Sequence, residues 1–237
     1  MDVHTADVKV HFDTTATYLK DNAIIPLRKR LVREILGDLR GLRILDAGCG
    51  DGSISVAFVK HNHVTFLDIS TGMLNEVAKA VPVEHSSRAE LIQGNFLESH
   101  FPQQFDIILC IGILAYIENP DRVLHRVAKL LKPRGRSIFQ ITDAATLIGR
   151  GLHRYARCRQ SIAASLNYVA PTRITRQEVL VAASQCGLAL VREERYPPTL
   201  PGMRYLGQTV CSSFLEWGNR RQLGCELLME LQRVGGQ

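Results

Sequence analysis

Three glycines crowd the segment Leu45-Asp46-Ala47-Gly48-Cys49-Gly50-Asp51-Gly52-Ser53, directly after a short apolar run. Glycines there let the backbone turn sharply and let a ligand touch main-chain atoms with no Cβ in the way. A pyrophosphate-binding turn wants G-x-G-x-x-G ahead of a helix N-terminus. Here the third glycine comes one place early, and Ser53 holds the position that pattern reserves for glycine. Asp46 at the strand end would repel a pyrophosphate. The chemistry that suits this turn is a ligand with a positive end and no phosphates. A second carboxylate, Asp68, follows twenty positions after Gly48, at the end of the next apolar run. Cys49 reads as a filler whose backbone matters, because a turn of this kind works through main-chain groups.

The elements that must position these residues alternate. Leu42–Ala47, Val64–Asp68, Ala89–Gln93, Phe105–Cys110 and Arg136–Ile141 read as strands, and their near-continuous apolar character predicts cover on both faces. The glycine turn is expected to open a helix. Ser70 is positioned to cap a helix through Met73, Leu74, Val77 and Ala78. Asn119-Pro120 opens another, with Val123, Leu124, Val127, Leu130 and Leu131 on one side and Lys132-Pro133-Arg134-Gly135 as its stop. Thr175-Arg176-Gln177-Glu178 has the capping-box form, and Gly187 ends the helix it starts. Leu188–Tyr196 is a sixth strand, residues 205 to 221 are predicted helical, and Cys225–Val234 is a last strand. Strand–helix alternation predicts a doubly wound α/β sheet. Residues 143 to 174 break the rhythm and exceed the usual connection of ~2–6 residues, so their length marks them for function.

Composition narrows the class. The chain has 237 residues, 46% hydrophobic and 22% charged, which excludes disorder. The longest apolar run, Ile107 to Ile117, falls short of the ~18 residues a membrane span requires. Met1 to Asp7 has no basic stretch before an apolar core, so no signal peptide and a cytoplasmic location are expected. Cysteines at 49, 110, 158, 186, 211 and 225 lie too far apart for a zinc knuckle or redox pair, and reduced thiols with no metal site are expected. Of the net charge of +6, Arg150, Arg154, Arg157 and Arg159 supply four within ten acid-free residues. That local feature argues against a nucleic-acid surface over the whole protein. Arg150, Arg154 and Arg157 would share one helical face, which fits a solvated side, a site for an anionic group, or an anionic membrane surface.

The D-x-G-x-G-x-G turn closely resembles the first motif of the class I S-adenosylmethionine-dependent methyltransferases. Further segments agree in order: Ser70-Thr71-Gly72-Met73-Leu74, Gly94-Asn95-Phe96, Phe105–Cys110 with Ile113–Pro120, and Lys132-Pro133-Arg134-Gly135-Arg136. The resemblance covers roughly residues 40 to 142 and is weaker beyond. It implies a seven-stranded, mostly parallel sheet of order 3-2-1-4-5-7-6 in one domain. Within it, residues 1–40 would be a helical cap, 41–142 the cofactor core, 143–174 a substrate lid, and 175–237 the last helix and strands. It implies S-adenosyl-L-methionine as cofactor, held by Asp46, Gly48, Gly50, Gly52, Asp68, Ile69, Met73, Asn95, Phe96, Cys110 and Tyr18. Asp68 would take the ribose hydroxyls and Asn95 the adenine amine. Two positions depart from the family. Asn95 stands for the usual Asp, and Ala115-Tyr116 stand where many relatives have Glu-His.

Methyl transfer from a sulfonium is an in-line displacement, so alignment and a deprotonated nucleophile are what a protein must supply. His11, His153 and Tyr155 are the candidates to take the proton. His11 and Tyr18 lie in an N-terminal segment that in this family often folds over the cofactor. The expected acceptor is a small molecule methylated at oxygen, with an anionic or carrier-bound acceptor among the readings, and the protein a monomer or homodimer. RNA or protein methylation and a non-catalytic cofactor-binding subunit stay as alternatives. Against nucleic-acid amines, Cys110-Ile111-Gly112-Ile113 stands where [DNS]-P-P-[YF] would be. A nicotinamide-dependent oxidoreductase is disfavoured by the glycine spacing and Asp46.

Overall fold

Side chains along the central strands alternate between two apolar layers, and that alternation decides where each helix lies. The computed structural model describes residues 10, 23–117, 119–162, 170–200, 208–221 and 223–234. The strands are β1 (Arg43–Ala47), β2 (His63–Asp68), β3 (Ala89–Gln93), β4 (Phe105–Cys110), β5 (Leu131–Thr142), β6 (Leu188–Tyr196) and β7 (Glu226–Arg233). The helices are α1 (Ile24–Leu36), α2 (Thr71–Ala80), α3 (Pro120–Leu130), α4 (Leu147–Ile162), α5 (Arg176–Gln185) and α6 (Gln208–Arg220). Ile44, Phe66, Leu109, Ile138 and Leu228 point to one layer, against Leu31 and Ile35 of α1, Val77 of α2 and Leu215 of α6. Leu45, Leu67, Ile108, Phe139 and Met229 point to the other, against Val123 and Val127 of α3 and Val179 and Ala183 of α5. Cover on both faces is what the apolar strands required.

The seven strands form one sheet of order β3-β2-β1-β4-β5-β7-β6, as the resemblance implied. Pairing is parallel from β3 through β5, and β7 runs antiparallel to both β5 and β6. Strand order reverses between β1 and β4, which opens a crevice at their carboxyl ends, where open α/β sheets bind ligands.

The caps act as read. Ser70 Oγ accepts from Met73 N at 3.2 Å, and Asn119 Oδ1 from Asp121 N at 3.1 Å. Thr175 and Glu178 close a reciprocal capping box. Two expectations need correction. The glycine turn opens no α-helix; turns lead instead into a short 3-10 segment, Val56–Lys60. Ser53-Ile54-Ser55-Val56 is poor in helix formers, and only a few residues remain before β2. Nor does Lys132-Pro133-Arg134-Gly135 end a helix ahead of the strand. β5 begins at Leu131, opposite Phe105, and the tetrapeptide kinks it through a register shift, with Arg134 at φ 62°. The predicted helix of 205 to 221 is described from Gln208 to Arg220; residues 201–207 lie outside the described residues. In the long excursion after β5, Asp143 and Ile174 form a parallel bridge and Ala144 N donates to Ile174 O at 2.9 Å. Its two ends are therefore pinned together, with α4 between them.

Asn62 fixes the start of the core. Its Nδ2 donates to Leu39 O at 2.9 Å and Phe58 O at 3.0 Å, and its Oδ1 accepts from Leu42 N at 3.1 Å. It is 2% exposed. Asn62→Leu keeps the branching at Cγ but strands those backbone groups, so unfolding free energy should fall by about 2–3 kcal/mol in urea titration.

Candidate functional site

Gly48 N and Cys49 N both donate to Leu67 O, at 2.8 and 3.0 Å, so the turn after β1 folds back onto the end of β2. Asp68 completes that closure. Its Oδ2 accepts from Gly50 N and its Oδ1 from Ser70 N, each at 2.9 Å. Gly48, Gly50 and Gly52 have φ of 71°, 54° and 73°, the left-handed region. At Gly52 a Cβ would also come within 2.7 Å of Val56 Cγ2 and 3.1 Å of a Val77 methyl, so only glycine lets the turn sit on α2.

Three carboxylates surround this turn. Asp51 Oδ1 accepts from Ser53 N at 3.0 Å, and Asp46, 2% exposed, accepts from the Ser55 hydroxyl. Burial pushes the Asp46 acid up to about 7; the Ser55 hydrogen bond opposes this, and the charges of Asp68 and Asp51 add to it. Burial likewise raises the Cys49 and Cys110 thiols, with Asp46 adding to both, so neither supplies a thiolate. A crevice with this lining rejects anions and favours a cation beside Asp46.

The other residues singled out in the sequence take varied positions. Ile69 is half-buried beside Asp68, Met73 is fully buried in α2, and Cys110 is fully buried at the end of β4. Asn95 Oδ1 accepts from Leu97 N at 2.9 Å, which makes it a turn residue as well as a polar group near the end of β3. Phe96 packs in the layer under α3, beneath the Arg126 guanidinium at 5.9 Å. His153 is buried on α4, with Nε2 3.4 Å from Thr142 O. Because a carbonyl only accepts, Nε2 is the donor in that contact. Tyr155 is exposed on the opposite side of α4, and Arg150, Arg154 and Arg157 are exposed as well. The helix thus turns one histidine inward and its arginines outward. His11 and Tyr18 lie outside the described residues.

A buried polar group next to the strand ends went unread in the sequence. Glu226 accepts from Thr142 Oγ1 at 2.7 Å, Arg28 Nη2 at 3.2 Å and Gln140 Nε2; Arg28 Nε also donates to Tyr196 Oη at 3.0 Å. Its signal was Gln140 itself, a polar residue inside the apolar run Ile138-Phe139-Gln140-Ile141.

Asp46 sets a pH dependence. Below its unfolded value of 3.8 both states are protonated. Above that the unfolded chain ionises while the folded one stays protonated up to about 7, so stability falls across this window and then levels. The ceiling is about 4 kcal/mol. Asp46→Asn should flatten that stretch of the stability–pH curve of the ligand-free protein, read by urea unfolding from pH 4 to 8.

The profile of the methyltransferase domain family matches residues 45–137. A ubiquinone biosynthesis O-methyltransferase of Klebsiella pneumoniae is 34% identical over 120 residues, covering 49% of each chain. The chain thus spans about half the length of the first curated relatives it matches. The Bordetella avium protein of the same name is 26% identical over 212 residues, covering 82% of this chain and 78% of its own. The fold matches an S-adenosylmethionine dependent methyltransferase from Mesorhizobium loti with a TM-score of 0.66 at 23% identity, over 90% of this chain and 98% of that one. Residues 45–137 thus match a methyltransferase domain, and the seven-stranded sheet of order β3-β2-β1-β4-β5-β7-β6 is that of the class I methyltransferase fold.

Proposed function

We propose that the protein transfers a methyl group from S-adenosyl-L-methionine to an oxygen of a small-molecule acceptor. The observation that carries this reading is the carboxylate-lined glycine turn, with Asp46, Asp51 and Asp68 around main chain that no Cβ obstructs. The residues fit that cofactor by charge, since it brings cationic groups and no phosphate. When bound it supplies a sulfonium methyl, which leaves in line to an incoming nucleophile. Asp68, held by the two amides at the end of β2, is the carboxylate we assign to the ribose hydroxyls. Asp46 stands to meet the ammonium end. The oxygen acceptor rests on the relatives, which are named as O-methyltransferases.

His153 is the group we assign to proton removal. It lies at the carboxyl end of β5, with Nε2 donating to Thr142 O and Nδ1 the nitrogen we assign to taking the proton. The excursion from 143 to 174, pinned at both ends, is the element we assign to covering the acceptor and excluding water. Among the described residues no helix is long and apolar enough to cross a membrane. All six cysteines are free, which supports a reducing compartment and the cytoplasmic assignment.

Calorimetry with S-adenosylhomocysteine and with NAD tests the cofactor. The first should bind and the second should not; the reverse overturns the reading. Asp68→Ala should weaken S-adenosylhomocysteine binding by about 1.5–3 kcal/mol, through lost ribose contacts and a loosened turn. Once an acceptor is in hand, His153→Gln should lower kcat by about a hundredfold and remove the rise of kcat with pH. Its affinity for S-adenosylhomocysteine should stay parental. An unchanged pH profile would return His153 to a packing role.

A further inference from the structure

The carboxamide of Gln140 is held in one orientation, and among the described residues its oxygen has no partner. Gln140 is 5% exposed and sits on the sheet face that also carries Asp46, since Asp46 pairs Leu109 and Leu109 pairs Ile138 two residues before it. That places it two strands from β1, about 10 Å across the sheet, and one step nearer the carboxyl ends. The two ends of an amide are ordinarily interchangeable by a flip. Here Glu226 decides between them. An ionised carboxylate only accepts, so the Gln140 NH2 must face Glu226, and Glu226 is itself fixed by Thr142 Oγ1 and Arg28. The amide oxygen is thereby turned the other way, toward Gly112, where it lies 3.9 Å from the point a Cβ would occupy. Gly112 begins the loop after β4 with φ 87° and carries no side chain to cover that oxygen. Among the described residues Gln140 Oε1 receives no hydrogen bond, and it is not among the atoms sealed from solvent.

An acceptor-only atom, pre-oriented by a buried anion and opening beside the crevice, selects for a donor. We propose that Gln140 Oε1 is a specificity-determining contact that receives a hydrogen bond from an O–H or N–H of the methyl acceptor. Arg28, Thr142 and Glu226 act through it as positioning residues. This rests on the methyl-transfer reading and adds a chemical requirement to it. The donor that Gln140 holds is not the reacting oxygen. That oxygen must shed its proton, and an amide oxygen facing an oxyanion would oppose the loss. The acceptor therefore carries a second polar hydrogen near the atom that is methylated. A molecule lacking it leaves Gln140 unpaired in a buried site, and such sites reject the analogue strongly.

Ligand-observed NMR on the S-adenosylhomocysteine complex tests this with small probes: catechol, phenol and aniline, each beside its O- or N-methylated counterpart. The parent should bind at least one donor-bearing probe about tenfold better than its methylated partner. Gln140→Leu, close in volume, should erase that preference while leaving S-adenosylhomocysteine affinity and the melting temperature near parental. Glu226→Gln removes the charge that dictates the amide's orientation, so the preference should shrink there too with Gln140 intact. A parent that shows no preference overturns the assignment. So does a Gln140→Leu protein that retains it. If Gln140→Leu instead loses S-adenosylhomocysteine, the residue belongs to the cofactor site and the proposal fails. Failure of the parent to bind S-adenosylhomocysteine at all counts against the methyl-transfer reading itself.

Discussion

Everything at the carboxyl ends of β1 and β2 hangs on one carboxylate whose two oxygens are claimed by backbone amides. Asp68 takes Gly50 N from the turn and Ser70 N from the approach to α2, so it ties two connections to the strand it terminates. Charge-assisted bonds of this kind are roughly twice as strong as neutral ones. They keep Asp68 in place while Asp46 is buried nearby against the Ser55 hydroxyl. The same cluster of acids thus shapes the turn and sets the local charge around it.

The opposite side of the crevice works by different means. Arg28 reaches from α1 to Glu226 at the start of β7 and to the fully buried Tyr196 at the end of β6. Burial pushes the Tyr196 phenol well above its ordinary range, so it stays a neutral hydrogen-bonding group. A half-satisfied network in that position would cost more than an apolar core. As built, each charged member has a partner, and it fastens α1 to the two antiparallel strands at the far end of the sheet.

The legibility of the sequence follows from which signals are local. Ser70, Asn119 and Thr175 announce helix starts because a cap acts within three residues of itself. The apolar runs announce strands covered on both faces, and the glycines with Asp46 announce a turn that excludes phosphates. Gln140 and Glu226 stand 86 positions apart and meet only because β7 returns antiparallel to β5. Nothing in either neighbourhood declares the other. The break of the glycine turn into a 3-10 segment had only a weak local signal, the poor helix formers Ser53–Val56, and Asn62 holding Phe58 O from beyond the segment's end lay outside that signal. The arginines of α4 read as one face from their spacing, but spacing alone could not say whether that face looks in or out.

The margins of the sheet carry a consequence of their own. At one edge β3 is only five residues long; at the other, β6 presents Arg192-Glu193-Glu194-Arg195 and shifts register between Leu190 and Arg192. Short, charged and irregular edges give a neighbouring chain no template for pairing. In crowded solution both margins therefore offer a second copy of this chain little continuous backbone to extend.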